Sequence, residues 1–207
     1  MSIAPAEGRM SGRDLDVLRE LSRGKTVLEI GTWRGRSALE MAYEAAEVWC
    51  VDTFCGDKYT ATLYGEQFTL PDFAKNARER GLWDKMRILV GRWEDVLPRL
   101  DLTGFGLVFY DASHDYEETL AAGQQILSHV PLECTVAFHD YSSNFPQVIR
   151  AVDQLAREHC GRPLQRHGDI LAVLGPRQPP PPISGSAAWE AIDGTWIYRG
   201  ITTEATP

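Results

Sequence analysis

Chemistry is concentrated first in the segment Thr26-Val-Leu-Glu-Ile-Gly-Thr-Trp-Arg-Gly-Arg-Ser37, a buried strand running through Gly31 and Gly35 into a helix that begins near Ser37. Glycines at such a turn let a ligand approach the backbone, and the helix start offers free N–H groups and a partial positive charge. The spacing excludes two phosphate loops. Gly31-Thr32-Trp33 breaks the Gly-x-Gly-x-x-Gly dinucleotide pattern, and Gly35-Arg36-Ser37 lacks the lysine of a P-loop. Glu29 points the same way, because a carboxylate beside the turn repels phosphate and suits an ammonium group. The next strand, Val48-Trp-Cys-Val-Asp52, ends on an acid 21 residues after Gly31. A carboxylate there can accept both hydroxyls of a ribose. A lone strand-end Asp also reads as a helix cap or a solvated loop residue; the Glu-x-Gly turn at this distance favours the ribose.

A second concentration is Asp111 and His114 after one apolar run and His139-Asp140 after another. In an open parallel sheet, ligands sit beyond the carboxyl ends of the strands, so these side chains are expected to converge.

The elements that must position them alternate between short β-branched runs and longer amphipathic stretches, the pattern of a parallel sheet with helices on both faces. Strands are expected over 26–30, 48–53, 86–90, 106–111, 135–139, 164–167 and 170–174, and helices over 13–22, 37–46, 73–80, 93–100, 116–128 and 146–159. His167-Gly168-Asp169 reads as a tight turn, which makes the last two strands an antiparallel hairpin. The chain therefore divides into a domain over 1–175, opening with a helix within 12–24, a Pro-rich linker over 176–183 and an extension over 184–207. Trp189, Trp196, Ile197, Tyr198 and Ile201 make the extension too apolar for a simple tail. It is expected to dock on its own domain or on a neighbouring chain, giving a homo-oligomer. The loop from Thr53 to Leu70, with Tyr59, Tyr64 and Phe68, reads as a lid or as a surface loop packed on a partner.

Composition narrows the partners. Twenty-one basic against 29 acidic side chains give a net charge of −8, with no basic run, which argues against a nucleic-acid partner. The longest apolar stretches, such as Leu107 to Tyr110, fall far short of the roughly 20 residues of a membrane-spanning helix, so no membrane partner is expected. The first ten residues lack the basic start and apolar core of a secretory signal. Cys50, Cys55, Cys134 and Cys160 form no Cys-x-x-Cys pair and read as thiols in a reducing cytoplasm.

The run Val-Leu-Glu-Ile-Gly-x-x-x-Gly-x-Ser over 27–37, followed by Val51-Asp-Thr53, resembles the class I S-adenosylmethionine-dependent methyltransferases. Asp52-Thr-Phe-Cys-Gly-Asp57, Tyr64-Gly-Glu-Gln-Phe68, Phe109-Tyr-Asp-Ala-Ser-His-Asp-Tyr-Glu117, Ala137-Phe-His-Asp-Tyr141 and Val148-Ile-Arg-Ala-Val-Asp153 resemble its small-molecule O-methyltransferase branch, of the macrocin O-methyltransferase type. The resemblance covers about residues 12–175. It departs at Val130-Pro-Leu-Glu-Cys134, where the family has a Gly-Gly turn. It implies a Rossmann-like, doubly wound α/β fold whose seven-stranded sheet ends in an antiparallel hairpin. It also implies that Glu29 and Gly31 face the methionine end of S-adenosyl-L-methionine, that Gly35 permits close approach, that Asp52 holds the ribose, and that Ser37 and Thr53 also bind the cofactor. Trp93 would stack on the adenine and Glu94 would accept its amino group, with Asp111 also at the cofactor; Trp93 equally reads as a residue that opens a helix and packs.

Methyl transfer to a hydroxyl is an in-line displacement that is eased when the acceptor is positioned and deprotonated. Two routes fit. A divalent metal held by Asp111, His139 and Asp140 could lower the acceptor's pKa, or a histidine, His114 first and His139 second, could take the proton. The family places acidic ligands at these strand ends. Histidine at 139 suits magnesium less than manganese, iron or zinc. The expected partner is a small hydroxylated acceptor, with N-methylation, a non-catalytic scaffold and a metal-dependent hydrolase as the other readings. His129, His159 and His167 read as solvated or packed.

Overall fold

The computed structural model describes residues 10–56, 62, 68–159, 161–178, 187–192 and 195–201. Seven strands, β1 (Thr26–Ile30), β2 (Glu47–Asp52), β3 (Met86–Val90), β4 (Leu107–Tyr110), β5 (Thr135–Phe138), β6 (Leu164–His167) and β7 (Leu171–Leu174), form one sheet in the order β3-β2-β1-β4-β5-β7-β6. The first five run parallel, and β7 is antiparallel to both β5 and β6. The sheet is thus the Rossmann-like, doubly wound arrangement expected, with the hairpin at its edge.

Why these runs make central strands follows from burial on both faces. Val27, Leu107 and Phe109 pack on one side with Leu15 and Leu18 of α1 (Gly12–Ser22), Leu39 and Met41 of α2 (Arg36–Ala42) and Phe73 of α3 (Leu70–Glu79). Leu28, Ile30, Val108 and Tyr110 pack on the other with Ile126 of α5 (Tyr116–His129) and Val152 and Leu155 of α6 (Pro146–Glu158). The buried positions of α6, Val148, Ala151, Val152 and Leu155, follow helical spacing, and Pro146 in its first turn gives up an N–H that would have no intrahelical partner.

Register does the positioning. Ile30 pairs with both Val51 and Tyr110, Tyr110 with Phe138, and Phe138 with Ala172. One step beyond this row the chain carries Gly31, Asp52, Asp111 and His139. Chain order reverses between β1 and β4, which makes their carboxyl ends the place where an open sheet of this kind binds ligands.

Several boundaries differ from those expected. α2 stops at Ala42, with Glu44 and Ala45 N–H groups both turning back to the Met41 carbonyl. The helix expected over 93–100 is one α turn, α4 (Trp93–Val96), and a 3-10 turn over Leu97–Arg99, because Pro98 has no N–H to continue the ladder. α3 starts at Leu70, three residues early, with Pro71 in its first turn. In the extension, Ala187–Ile192 (β8) and Thr195–Ile201 (β9) pair antiparallel as a separate two-stranded sheet. Most of the expected linker and of the expected lid, with Tyr59 and Tyr64, and Cys160 lie outside the described residues. Among the described residues no helix is long and apolar enough to cross a membrane.

The closing hairpin is tied to the start of the chain. Ser11 caps α1 by accepting from the Asp14 N–H, and the fully buried Asp14 carboxylate accepts from the Asp169 N–H at 2.7 Å and the Ile170 N–H at 3.2 Å. Charge-assisted bonds to a buried carboxylate are worth about 1.5–3 kcal/mol. Asp14→Ala is therefore expected to lower stability in urea unfolding by about 2 kcal/mol; a loss within error would mean that the hairpin holds its place without it.

Candidate active site

Glu29 sits at the end of β1 with none of its surface exposed. The Ser37 hydroxyl, in the first turn of α2, donates to Glu29 Oε1 at 2.5 Å, whereas Oε2 has no hydrogen-bond partner among the described residues. Burial pushes this carboxyl up to about 8; the Ser37 hydroxyl and then the Thr32 hydroxyl offset part of the rise, and the carboxylates of Asp111 and Asp52 add to it.

The turn above it is set by contact. Gly31 has φ +93°, and a Cβ there would lie 2.4 Å from the Asp111 carbonyl oxygen, so only glycine lets β1 and β4 close at this point. At Gly35, with φ +84°, a Cβ would fall 2.1 Å from the Phe73 ring. The close approach at Gly35 is thus that of α3, a packing demand that its sequence neighbours do not reveal.

Asp52 is more engaged than a bare strand-end acid. Its Oδ2 accepts from the Thr32 and Trp33 N–H groups at 2.6 and 2.7 Å, and its Oδ1 accepts from the Phe54 N–H at 2.6 Å. Trp33 and Phe54 both hold positive φ, +49° and +57°, a left-handed conformation that costs non-glycine residues and that these bonds stabilise. With three of about four lone-pair positions used, the carboxylate as it stands can take one further donor rather than two. Thr53 Oγ1 accepts from the Cys55 N–H at 3.3 Å within the same turn.

Beyond β4 and β5 the expected convergence is present. His139 Nδ1 lies 3.1 Å from Asp111 Oδ1 and 3.2 Å from Asp140 Oδ2, and His114 Nε2 lies 2.8 Å from the same Asp140 oxygen. Burial works against charging the His139 ring, but the two carboxylates outweigh it and hold its pKa well above the usual histidine range. For Asp140, burial is likewise outweighed by His114 and His139, and its pKa is lowered. Asp140 holds φ +59°, a strained position for a non-glycine residue. His114 stacks on Phe145, with ring centroids 4.5 Å apart and planes at 23°. Phe145 was not a sequence candidate; it sits in a loop between two apolar segments with no periodicity to mark it.

One donor atom each from Asp111, His139 and Asp140 lies within 4.8 Å of the others. His139 Nε2 is buried with no hydrogen-bond partner among the described residues. An oxygen-nitrogen-oxygen set this compact fits a divalent ion of the manganese, iron or zinc kind, which would displace the proton that otherwise bridges the carboxylates.

On the β3 side, Trp93 is half-buried against the Leu97 and Ile126 cluster, as its packing reading expects. Glu94 Oε1 accepts from Arg92 at 2.5 Å, and Glu94 Oε2 is buried with no hydrogen-bond partner among the described residues.

Residues 28–141, more than half the chain, match the family model described as a methyltransferase domain. The chain belongs to this methyltransferase family. The resemblance drawn from the β1 turn is thereby borne out. No curated protein matches the methyltransferase chain. Among solved structures, it is similar to the O-methyltransferase NovP, with a TM-score of 0.67 and 20% identity over 80% of this chain and 79% of that one. It is also similar to cofactor-bound Rv0187 from MTB, at 0.64 and 22% over 82% of each chain. A third is the O-methyltransferase TomG from Streptomyces achromogenes, involved in tomaymycin synthesis and solved with SAM, at 0.59 and 18% over 81% of each.

Glu29 gives the methyltransferase a pH signature. Folded and unliganded, this carboxyl keeps its proton up to about pH 8, whereas unfolded it ionises near its ordinary value of 4.5. Stability through this group is full below the lower value, is lost as pH rises between the two, and is level above. Urea unfolding across this range is expected to show that decline, and Glu29→Gln to flatten it. An identical pH profile in the variant would mean that the folded protein carries Glu29 ionised.

Proposed function

We propose that this methyltransferase uses S-adenosyl-L-methionine to O-methylate a small hydroxylated molecule, with a divalent metal assisting. The observation that carries the reading is the fully buried Glu29, half-bonded and without a cationic partner among the described residues, under the Gly31 turn. A ligand bringing a positive charge to that carboxyl lets it ionise, and S-adenosyl-L-methionine carries both an ammonium and a sulfonium. The structure solved with SAM and the O-methyltransferases of similar fold support the same cofactor and acceptor class.

In this reading Glu29 receives the ammonium end, Asp52 uses its remaining acceptor position for a ribose hydroxyl, and Glu94 Oε2 accepts from the adenine amino group. The cofactor supplies an electrophilic methyl group: the C–S bond breaks as the C–O bond forms, and the acceptor's proton leaves. His114, on the mouth of the cluster with 30% of its side chain exposed, is oriented by Asp140 and by the Phe145 ring to take that proton. Asp111, His139 and Asp140 would hold the metal, which would supply Lewis acidity to the acceptor oxygen. The free thiols of the buried Cys50 and Cys134 are consistent with a reducing cytoplasm, the charge of −8 with a partner other than nucleic acid, and the apolar extension with a homo-oligomer.

Titration calorimetry with S-adenosyl-L-methionine is expected to show binding that Asp52→Asn weakens about tenfold, the worth of one charge-assisted bond. No binding by the unaltered protein would overturn the cofactor. Turnover of a hydroxylated acceptor is expected to fall after chelation and to return on adding manganese. Undiminished turnover would remove the metal and leave His114 as the base acting alone.

A further inference from the structure

Tyr141 follows directly on Asp140 and is buried. Its hydroxyl donates to Asp153 Oδ1 of α6 at 2.5 Å. Its N–H donates at 2.9 Å to the carbonyl of Ile170, in the turn that leads into β7, and its own carbonyl accepts from Arg166 of β6 at 3.4 Å. The guanidinium of the same Arg166 lies 4.8 Å from the centre of the Tyr141 ring. One residue is thus fastened, through side chain and backbone, to α6, to β6 and to the turn between β6 and β7.

Packing alone does not ask for this much. Phenylalanine would fill the position without a hydroxyl to satisfy, and α6 is already held to the sheet by Val148, Ala151, Val152 and Leu155. What the fastening controls is the residue before it. Asp140 holds φ +59°, a conformation that strains any residue with a Cβ and that glycine would adopt freely. Glycine cannot serve there, because the Asp140 carboxylate is the group that meets both His114 and His139. A strained residue keeps its conformation only where its surroundings over-determine it. The peptide that joins Asp140 to Tyr141 is bonded at both ends, its N–H to Ile170 and its carbonyl to the Ser142 N–H at 2.7 Å. If that peptide turned, the carboxylate shared by the two histidines would swing away with it.

We propose that Tyr141, anchored by Asp153, is a positioning residue that holds Asp140 in its left-handed conformation and so aims the Asp140 carboxylate at His114 and His139. Its side chain is bonded to α6, so it acts on the cluster through the backbone. The inference rests on the function proposed above for the task of the cluster, and on the geometry alone for the aim of Asp140.

The test reads the cluster in two ways: the ring-nitrogen NMR signals of His114 in the metal-free protein, assigned with His114→Asn, and the affinity for manganese by titration calorimetry. Tyr141→Phe is expected to move the His114 signals toward those of a free imidazole and to weaken manganese binding about tenfold. Asp153→Ala should do the same, whereas Asp153→Asn keeps an oxygen for the tyrosine hydroxyl and should stay near the unaltered protein in both readouts. Added to Tyr141→Phe, Asp153→Ala should cost nothing further, because one bond can be lost only once. Ser22→Ala removes hydroxyl bonds to the Arg19 and Met41 carbonyls, away from the cluster, and should leave both readouts where they were. Unmoved His114 signals in Tyr141→Phe and Asp153→Ala would overturn the inference, and so would a Ser22→Ala protein that changes as much as they do. If the unaltered protein binds no manganese, the metal reading falls and the His114 signals still decide whether Tyr141 aims Asp140.

Discussion

A carboxyl group with no exposed surface and no positive partner among the described residues is the constraint on which the rest of the site turns. Glu29 is held protonated by its burial, and the protein keeps it there because β1 must end under the Gly31 turn, with Asp111 pressed against that turn from β4. An apolar residue at position 29 would serve the sheet at least as well. In the proposed function the carboxyl is completed from outside by a cation, and the Gly31 turn and the α2 helix start frame that cation's carrier.

The same register that seats Glu29 brings the acid and histidine cluster together. Because Ile30, Tyr110 and Phe138 lie side by side, the first residues beyond the strands cannot avoid one another. Asp111, His139 and Asp140 meet there, and His114 reaches back to Asp140 from the loop that follows β4. The cluster holds two carboxylates and two imidazoles, so its charge can be balanced by protons or by a metal ion. In the proposed function that balance lets one set of residues serve both for holding an ion and for orienting a base.

Much of this was legible in the chain because it depends on local pattern. Continuous apolar runs such as Leu107–Tyr110 suit strands covered on both faces, strand ends in a doubly wound sheet face one cleft, and Gly31 and Asp52 carry their spacing openly. What was hidden depends on contacts far apart in sequence or on single dihedral angles. Phe73 filling the space at Gly35 joins residues 38 positions apart. The three amides that engage Asp52 reach it only because Trp33 and Phe54 turn left-handed. The stacking of Phe145 on His114 and the burial of Tyr110 likewise follow from tertiary packing. The division of the helix after β3 could have been read from Pro98, and the burial of Asp14 from nothing short of the fold.

The most direct test of the central claim is the number of protons exchanged on binding S-adenosyl-L-methionine, measured at pH 7 by calorimetry in buffers of different ionisation enthalpy. If the cofactor's cation completes Glu29, the unaltered protein should release close to one proton more per molecule bound than Glu29→Gln does, because a carboxyl held near 8 must ionise to receive it. Equal proton release by the two proteins would contradict the account: the buried acid would then take no part in binding, and the reason for its place in the sheet would have to be sought elsewhere.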